Sequence, residues 1–169
     1  MTAVSRFTWS VPMLFAVTLC ACSKRPAPPA TATDPRELFQ SFVQAWNSHD
    51  YDALDTLVAG NAVEENLALD FRGVGPVGFK SFMRQTLGMI PDFDWKPTNV
   101  MADSFKVAAE WTLAGRYTGD TPKGPVKAKR FQIRGVSIAV TNGRRITRVS
   151  DYYNIADFYR QVTGGAPQK

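Results

Sequence analysis

The sequence has little cysteine, little histidine, no long apolar run and only a small excess of charge. Both of its cysteines, Cys20 and Cys22, fall within the first 22 of 169 residues, and His49 is the single histidine. Everything after Cys22 is therefore without a disulfide, a cysteine nucleophile or a cysteine-based metal cluster. One histidine with no partner ligands makes no metal site, and no metal or organic cofactor is implied. The net charge of +5 is too mild to argue for nucleic acid. The longest apolar run, Val11 to Leu19, is shorter than the ~20 residues a bilayer-spanning helix needs.

What is present divides the chain into four parts. Residues 1–22, MTAVSRFTWSVPMLFAVTLCAC, place one Arg6 before that apolar run and end in small residues, the form of an export signal. Leu19-Cys20-Ala21-Cys22 has the pattern of a bacterial lipobox, which predicts removal of residues 1–21 and lipidation of Cys22. An ordinary signal peptide cut nearby and an uncleaved anchor are the alternatives. Loss of residues 1–21 takes away one cation, Arg6, and leaves a net charge of +4. Residues 22–33 are the lipidated cysteine and a Pro/Ala-rich tether, too polar and too proline-rich to build a core. Residues 34–164 form the folded domain and 165–169 a short tail. The expected location is the cell envelope, exported and held by lipid, on the periplasmic side of an outer membrane.

The domain opens with Asp34-Pro35-Arg36-Glu37, an N-cap, a proline at the first helical position and an acid in the first turn. Leu38, Phe39, Phe42, Val43 and Trp46 follow at helical spacing. Asp50 is placed to cap a second short helix through Leu57. Ala62 to Leu69 reads as a strand with Val63, Glu65, Leu67 and Leu69 on one face. Gly75-Pro76 starts another helix, which Pro91 ends. Beyond it the period changes to two. Val107, Ala109, Trp111, Leu113, Gly115 and Tyr117 share one face, and Val126 to Val140 is a long strand whose parity shifts near Arg130 and Gly135 predict bulges. Thr141 to Arg144 turns the chain into a strand reaching Tyr153, and Ile155 to Thr163 closes it as a helix. The pattern predicts an α+β fold in which a strongly curved antiparallel sheet wraps the N-terminal helices as a cone. Such a sheet leaves a cavity lined by the inward positions of its strands.

Three polar side chains fall on faces otherwise given to apolar ones: Glu65, Tyr117 and Asp151. An unpaired buried carboxyl either finds a donor or takes up a proton. A pKa raised toward neutrality suits a general base acting on carbon next to a carbonyl, and a tyrosine hydroxyl could donate to the enolate oxygen. The plainer readings stand beside these. Asp151 could cap a turn or pair with Arg134 or Arg148; Tyr117 could be a core aromatic with its hydroxyl at the rim; and Glu64, beside Glu65, could be the inward one. Trp46, Trp111, Phe131 and Tyr153 are the candidate walls of the cavity.

Several pieces together resemble a known family, the SnoaL-like polyketide cyclases of the nuclear transport factor 2-like superfamily. They are Ala45-Trp46-Asn47-Ser48-His49-Asp50, Gly75-Pro76 with Gly78-Phe79, Pro91-Asp92, Trp111-Thr112, Gly115-Arg116-Tyr117-Thr118-Gly119, Asp151, and Arg160-Gln161. The resemblance implies a conical bent sheet around helices and a homodimer. It implies that Asp151 is the acid/base of an intramolecular aldol closure. Where that family carries a histidine within Gly-x-His-x-Gly, this chain carries Tyr117. The expected function is a tethered domain whose pocket takes a small apolar or carbonyl-containing molecule, with cyclase- or isomerase-like proton transfer. Non-catalytic capture of a hydrophobic ligand, or an assembly role at the envelope, is the alternative.

Overall fold

The computed structural model describes residues 32–165. The leader, Cys22 and all but the end of the tether lie outside the described residues, as do the last four. Helix α1 spans Pro35–Asn47, and its Asp34 Oδ1 accepts from the Arg36 amide at 2.8 Å. Burial of Leu38, Phe39, Phe42, Val43 and Trp46 confirms the apolar stripe. The N-cap position of α2 (Ala53–Leu57) is Asp52 and not the expected Asp50, whose Oδ1 instead secures the turn before the helix by accepting from the amides of Asp52 and Ala53. Strand β1 is Val58–Asn66, β2 is Phe71–Val74 and α3 is Gly75–Met89. Gly75 has a φ of 63°, and a Cβ there would lie 2.5 Å from the Gly60 carbonyl oxygen, so this corner accepts only glycine. Strands β3 (Asp94–Ala102), β4 (Lys106–Gly119), β5 (Val126–Thr141) and β6 (Ile146–Tyr153) follow, then α4 (Ile155–Val162), capped by Asn154.

The six strands form one sheet in the order β2-β1-β6-β5-β4-β3. It is curved, and mixed rather than wholly antiparallel as expected, because β1 pairs in parallel with β6. A parallel neighbour requires a long connection between the two strands; here the rest of the domain supplies it. Strands β2 and β3 are additional to those expected from the sequence. Strand β1 begins earlier than the expected Ala62 and turns the opposite face inward. The strand starts at Val58 and ends at Asn66, whose Oδ1 accepts from the Leu69 amide and turns the chain. Ala62, Glu64 and Asn66 point in, while Leu67 and Leu69 are largely exposed.

Of the two bulges expected, the one near Arg130 is present, at Ala128, and the one near Gly135 is not. Pairing of β4 with β5 runs unbroken from Lys106↔Val140 to Tyr117↔Lys129, and the register shifts only beyond that, where Ala128 has a φ of 53°. The apparent parity change near Gly135 has another cause. Val136, Ile138 and Val140 are half-buried on the outer face, while Ser137, Ala139 and Thr141 continue the inward row. Gly135 itself lies under the Trp111 ring: a Cβ there would meet that ring at 2.3 Å.

The core is aromatic and lies between the helices and the sheet. Phe42, Phe79, Trp46 and Trp95 pack edge to face, with Phe42 5.9 Å from Phe79 and 6.0 Å from Trp95. Such pairs contribute about 0.5–1.5 kcal/mol each beyond the area they bury. Asn47, the last residue of α1, fixes the helix to β3. Its amide donates to the Trp95 carbonyl at 2.8 Å, and its Oδ1 accepts from the Trp95 amide at 2.9 Å. That pair of hydrogen bonds sets Trp46 and Trp95 side by side.

Candidate functional site

Between the helices and the concave face of the sheet is a cavity of about 380 Å³. That size is within the range of small-molecule sites. Trp46, Trp111, Phe131 and Tyr153 all line it. Trp111 sits 6.2 Å from Trp95 and 5.9 Å from Tyr153, so the wall is nearly continuous aromatic surface. Phe131 and Tyr117 close one end against Phe158 of α4, at 4.9 and 5.0 Å.

Two carboxyls enter this apolar space from adjacent strands. In the parallel register, Glu64 of β1 faces Val149 of β6 and Asn66 faces Asp151. Glu64 and Asp151 are therefore diagonal neighbours on the inward face, and both line the cavity. Asp151 is oriented from the far side by β5: the Ser137 hydroxyl donates to its Oδ1 at 2.5 Å, and the Trp111 indole N–H donates to Ser137 Oγ at 2.8 Å. The relay holds the Trp111 ring and the carboxyl together, and Ser137 is fully buried.

Burial raises the pKa of Asp151 to about 6, against the pull of the Ser137 hydrogen bond. Glu64 is pushed well above the usual carboxylate range, first by burial and then by the charge of Asp151. Among the described residues no Lys, Arg or His lines the cavity, so nothing there balances a second negative charge. Glu64 Oε2 is buried and has no hydrogen-bond partner in the protein. Trp46 Nε1 is likewise buried without one. Burial also pushes the Tyr153 phenol up, while the Asn66 side chain beside it pulls the other way.

The other two expected site residues occupy different positions from those expected. Glu65 points to the opposite face of β1, where Arg148 Nη2 lies 2.5 Å from Oε2 and Arg72 Nε 3.8 Å from Oε1. It takes no part in the cavity because a strand's side chains alternate and the inward row is 62, 64, 66. Tyr117 lines the cavity with its ring, but its hydroxyl donates to the Asp120 carbonyl at 2.8 Å. That bond commits the phenol to the 120–125 loop between β4 and β5. Asp151 forms no ion pair with Arg134 or Arg148; Arg148 is engaged with Glu65 and Ser150. Ser137 was not expected at the site, and of the two readings left open for the Glu64–Glu65 pair it is Glu64 that faces inward. The signal for Glu64 was the two-residue period counted from Val58, the first residue after α2.

Residues 36–162 match the family described as SnoaL-like polyketide cyclase. No curated protein matches the chain. Among solved structures, one similar to this chain is a protein of ketosteroid isomerase-like fold from Catenulispora acidiphila in complex with trimethylamine. It is 22% identical, with a TM-score of 0.66 over 79% of this chain and 96% of that one. A SnoaL-like polyketide cyclase from Agrobacterium tumefaciens is 19% identical, with a TM-score of 0.64 over 76% and 98%. An LEH-like epoxide hydrolase from M. tuberculosis is 22% identical, with a TM-score of 0.59 over 75% and 83%. At these identities the structural likeness shows a shared fold, and the family match covers most of the domain. The chain belongs to the SnoaL-like polyketide cyclase family.

Proposed function

We propose that the domain binds a small, mostly apolar carbonyl compound and moves a proton on it, with Asp151 as the base. The observation that carries this reading is a carboxyl held by Ser137 in an aromatic cavity, with a pKa raised to about 6. At neutral pH such a group is mostly ionised, yet basic enough to take a proton from carbon α to a carbonyl. The C–H electron pair moves into the C–C–O system, and the oxygen gains the charge. Closure of a ring follows when that α carbon bonds to a second carbonyl carbon in the same molecule and the new alkoxide takes the proton back from Asp151. Return of the proton to a different carbon gives an isomer instead. Both outcomes are redox-neutral, and atoms balance without a further reactant. At the envelope, lipid on Cys22 would hold the domain against the membrane from which apolar molecules partition.

A second reading, capture without chemistry, is favoured by Tyr117, which stands where the resemblance implies a histidine and whose hydroxyl is already bonded to Asp120. One experiment separates the two. 2-Tetralone has exchangeable hydrogens on both sides of its ketone, and proton NMR in D2O follows their loss. The wild-type chain should accelerate that exchange, and Asp151→Asn should lose about 10²–10⁴ of the acceleration. Exchange that proceeds equally in both leaves a binding module.

A further inference from the structure

The enolate oxygen formed in that reaction needs a donor, and Tyr117 is not placed to be one. We propose that Glu64 stays protonated and gives this hydrogen bond, so that the two carboxyls act as an acid–base pair on a neutral, enolisable ketone. The inference rests on the proton-transfer reading of Asp151 and adds both a residue and a substrate class.

Four observations converge on Glu64. It is buried to 1% exposure, lines the cavity, and leaves Oε2 without a partner in the protein. A buried carboxyl oxygen with no protein partner is costly to maintain and points to an external one. Glu64 sits diagonally from Asp151 on the inward face, so one ligand can reach both. The titratable groups that share the cavity are Asp151 and Tyr153 of β6, Asp70 of the β1–β2 turn, Tyr117 of β4 and Tyr159 of α4. None of them is cationic. Two carboxylates with no cation between them hold one negative charge more easily than two, and the deeper of the pair keeps the proton. The Ser137 hydroxyl stabilises the charge on Asp151, which leaves the proton to Glu64.

The same electrostatics select the substrate. A ligand carrying its own carboxylate or phosphate would bring a further negative charge to a site with no balancing cation. A neutral ketone brings none, and it offers Glu64 an acceptor. As Asp151 removes the α hydrogen, negative charge grows on the ketone oxygen and the Glu64 hydrogen bond strengthens, which lowers the barrier more than it favours the bound ground state.

The test uses 2-naphthol, a planar analogue of the enol of 2-tetralone, and naphthalene, which has the same rings without the oxygen. Wild-type chain should bind 2-naphthol about tenfold more tightly than naphthalene, and Glu64→Leu should erase that preference. Glu64→Leu should also slow 2-tetralone exchange by about 10²–10³-fold. Glu64→Gln, which keeps an N–H donor in the same shape, should recover part of it. The pH profile is the reading a merely structural role would not move. Wild-type exchange should rise through about pH 6 as Asp151 ionises and fall again at higher pH as Glu64 does, and the fall should vanish in Glu64→Gln. Equal affinity of the two ring compounds for wild type, no binding of either, or a descending limb that survives Glu64→Gln overturns the assignment. A lost naphthol preference in Glu64→Leu together with unaltered exchange in Asp151→Asn would instead overturn the role of Asp151.

Discussion

Replacing Asp151 with asparagine should make the protein more stable at neutral pH and leave it nearly unchanged in acid. The carboxyl has a folded-state pKa of about 6, above its ordinary value of 3.8. Between these values the native chain holds a proton that the unfolded chain has released, so stability falls as pH rises through that window. A rise from 3.8 to about 6 corresponds to about 3 kcal/mol once the pH is above 7. Asparagine keeps the shape and can still accept from Ser137, so the relay to Trp111 survives while the charge goes. Its removal also relieves the repulsion on Glu64. The expected gain is about 2–3 kcal/mol at pH 7.5, shrinking to about 0.5 kcal/mol at pH 4. Urea unfolding at the two pH values, fitted by linear extrapolation with a shared slope, measures it. A mutant that is less stable at pH 7.5, or a difference that does not change with pH, would refute the reasoning. The first result would mean that Asp151 has a structural partner, since breaking a buried pairing costs about 3–5 kcal/mol.

Three further changes probe the site and its surroundings. Glu64 and Glu65 are chain neighbours with opposite fates: Glu65→Gln should shift stability by less than about 1 kcal/mol, as for surface ion pairs, and leave tetralone exchange alone, whereas Glu64→Gln should stabilise the protein at pH 7.5 and slow exchange. Gly135→Ala puts a methyl group 2.3 Å from the Trp111 ring and 2.7 Å from the Tyr152 carbonyl oxygen; it should cost about 1–3 kcal/mol in thermal or denaturant unfolding and, by displacing Trp111, lower exchange although no polar atom of the site is altered.

Much of this architecture was legible because local chemistry dictated it. Asp34-Pro35 with Glu37 announces α1, and the two-residue period from Val107 to Tyr117 gives β4 and its inward face. Asp151 showed as a carboxyl on an apolar face because Val149 and Tyr153 flank it in one period. Less local features were not legible. β2 is only four residues long, and β3 exposes most of its side chains, so neither carries an apolar period. The face of β1 was misread because Val63, Leu67 and Leu69 outweigh Glu64 and Asn66 in hydrophobicity, while tertiary packing places the polar residues inside. Ser137 looks like an outward residue until Trp111 and Asp151 arrive on either side of it. The pairing of β1 with β6 has no local signature, since its hydrogen-bonding partners lie at opposite ends of the domain.

That pairing makes the site a property of the finished molecule. β1 is the first strand of the domain and β6 the last, and the acid and the base stand on opposite sides of the ladder between them. A chain still being made has all the aromatic walls up to Phe131 before it has a base to use. Contacts so distant along the chain are expensive to close and late to form, so assembly should be slower than in a fold knit from hairpins alone. Separation along the β1–β6 ladder would part Glu64 from Asp151 while leaving the β3–β6 hairpins paired and α1 tied to Trp95 through Asn47. Any chemistry at this site would then be lost before the secondary structure, with the join between the two ends of the domain serving as its breaker.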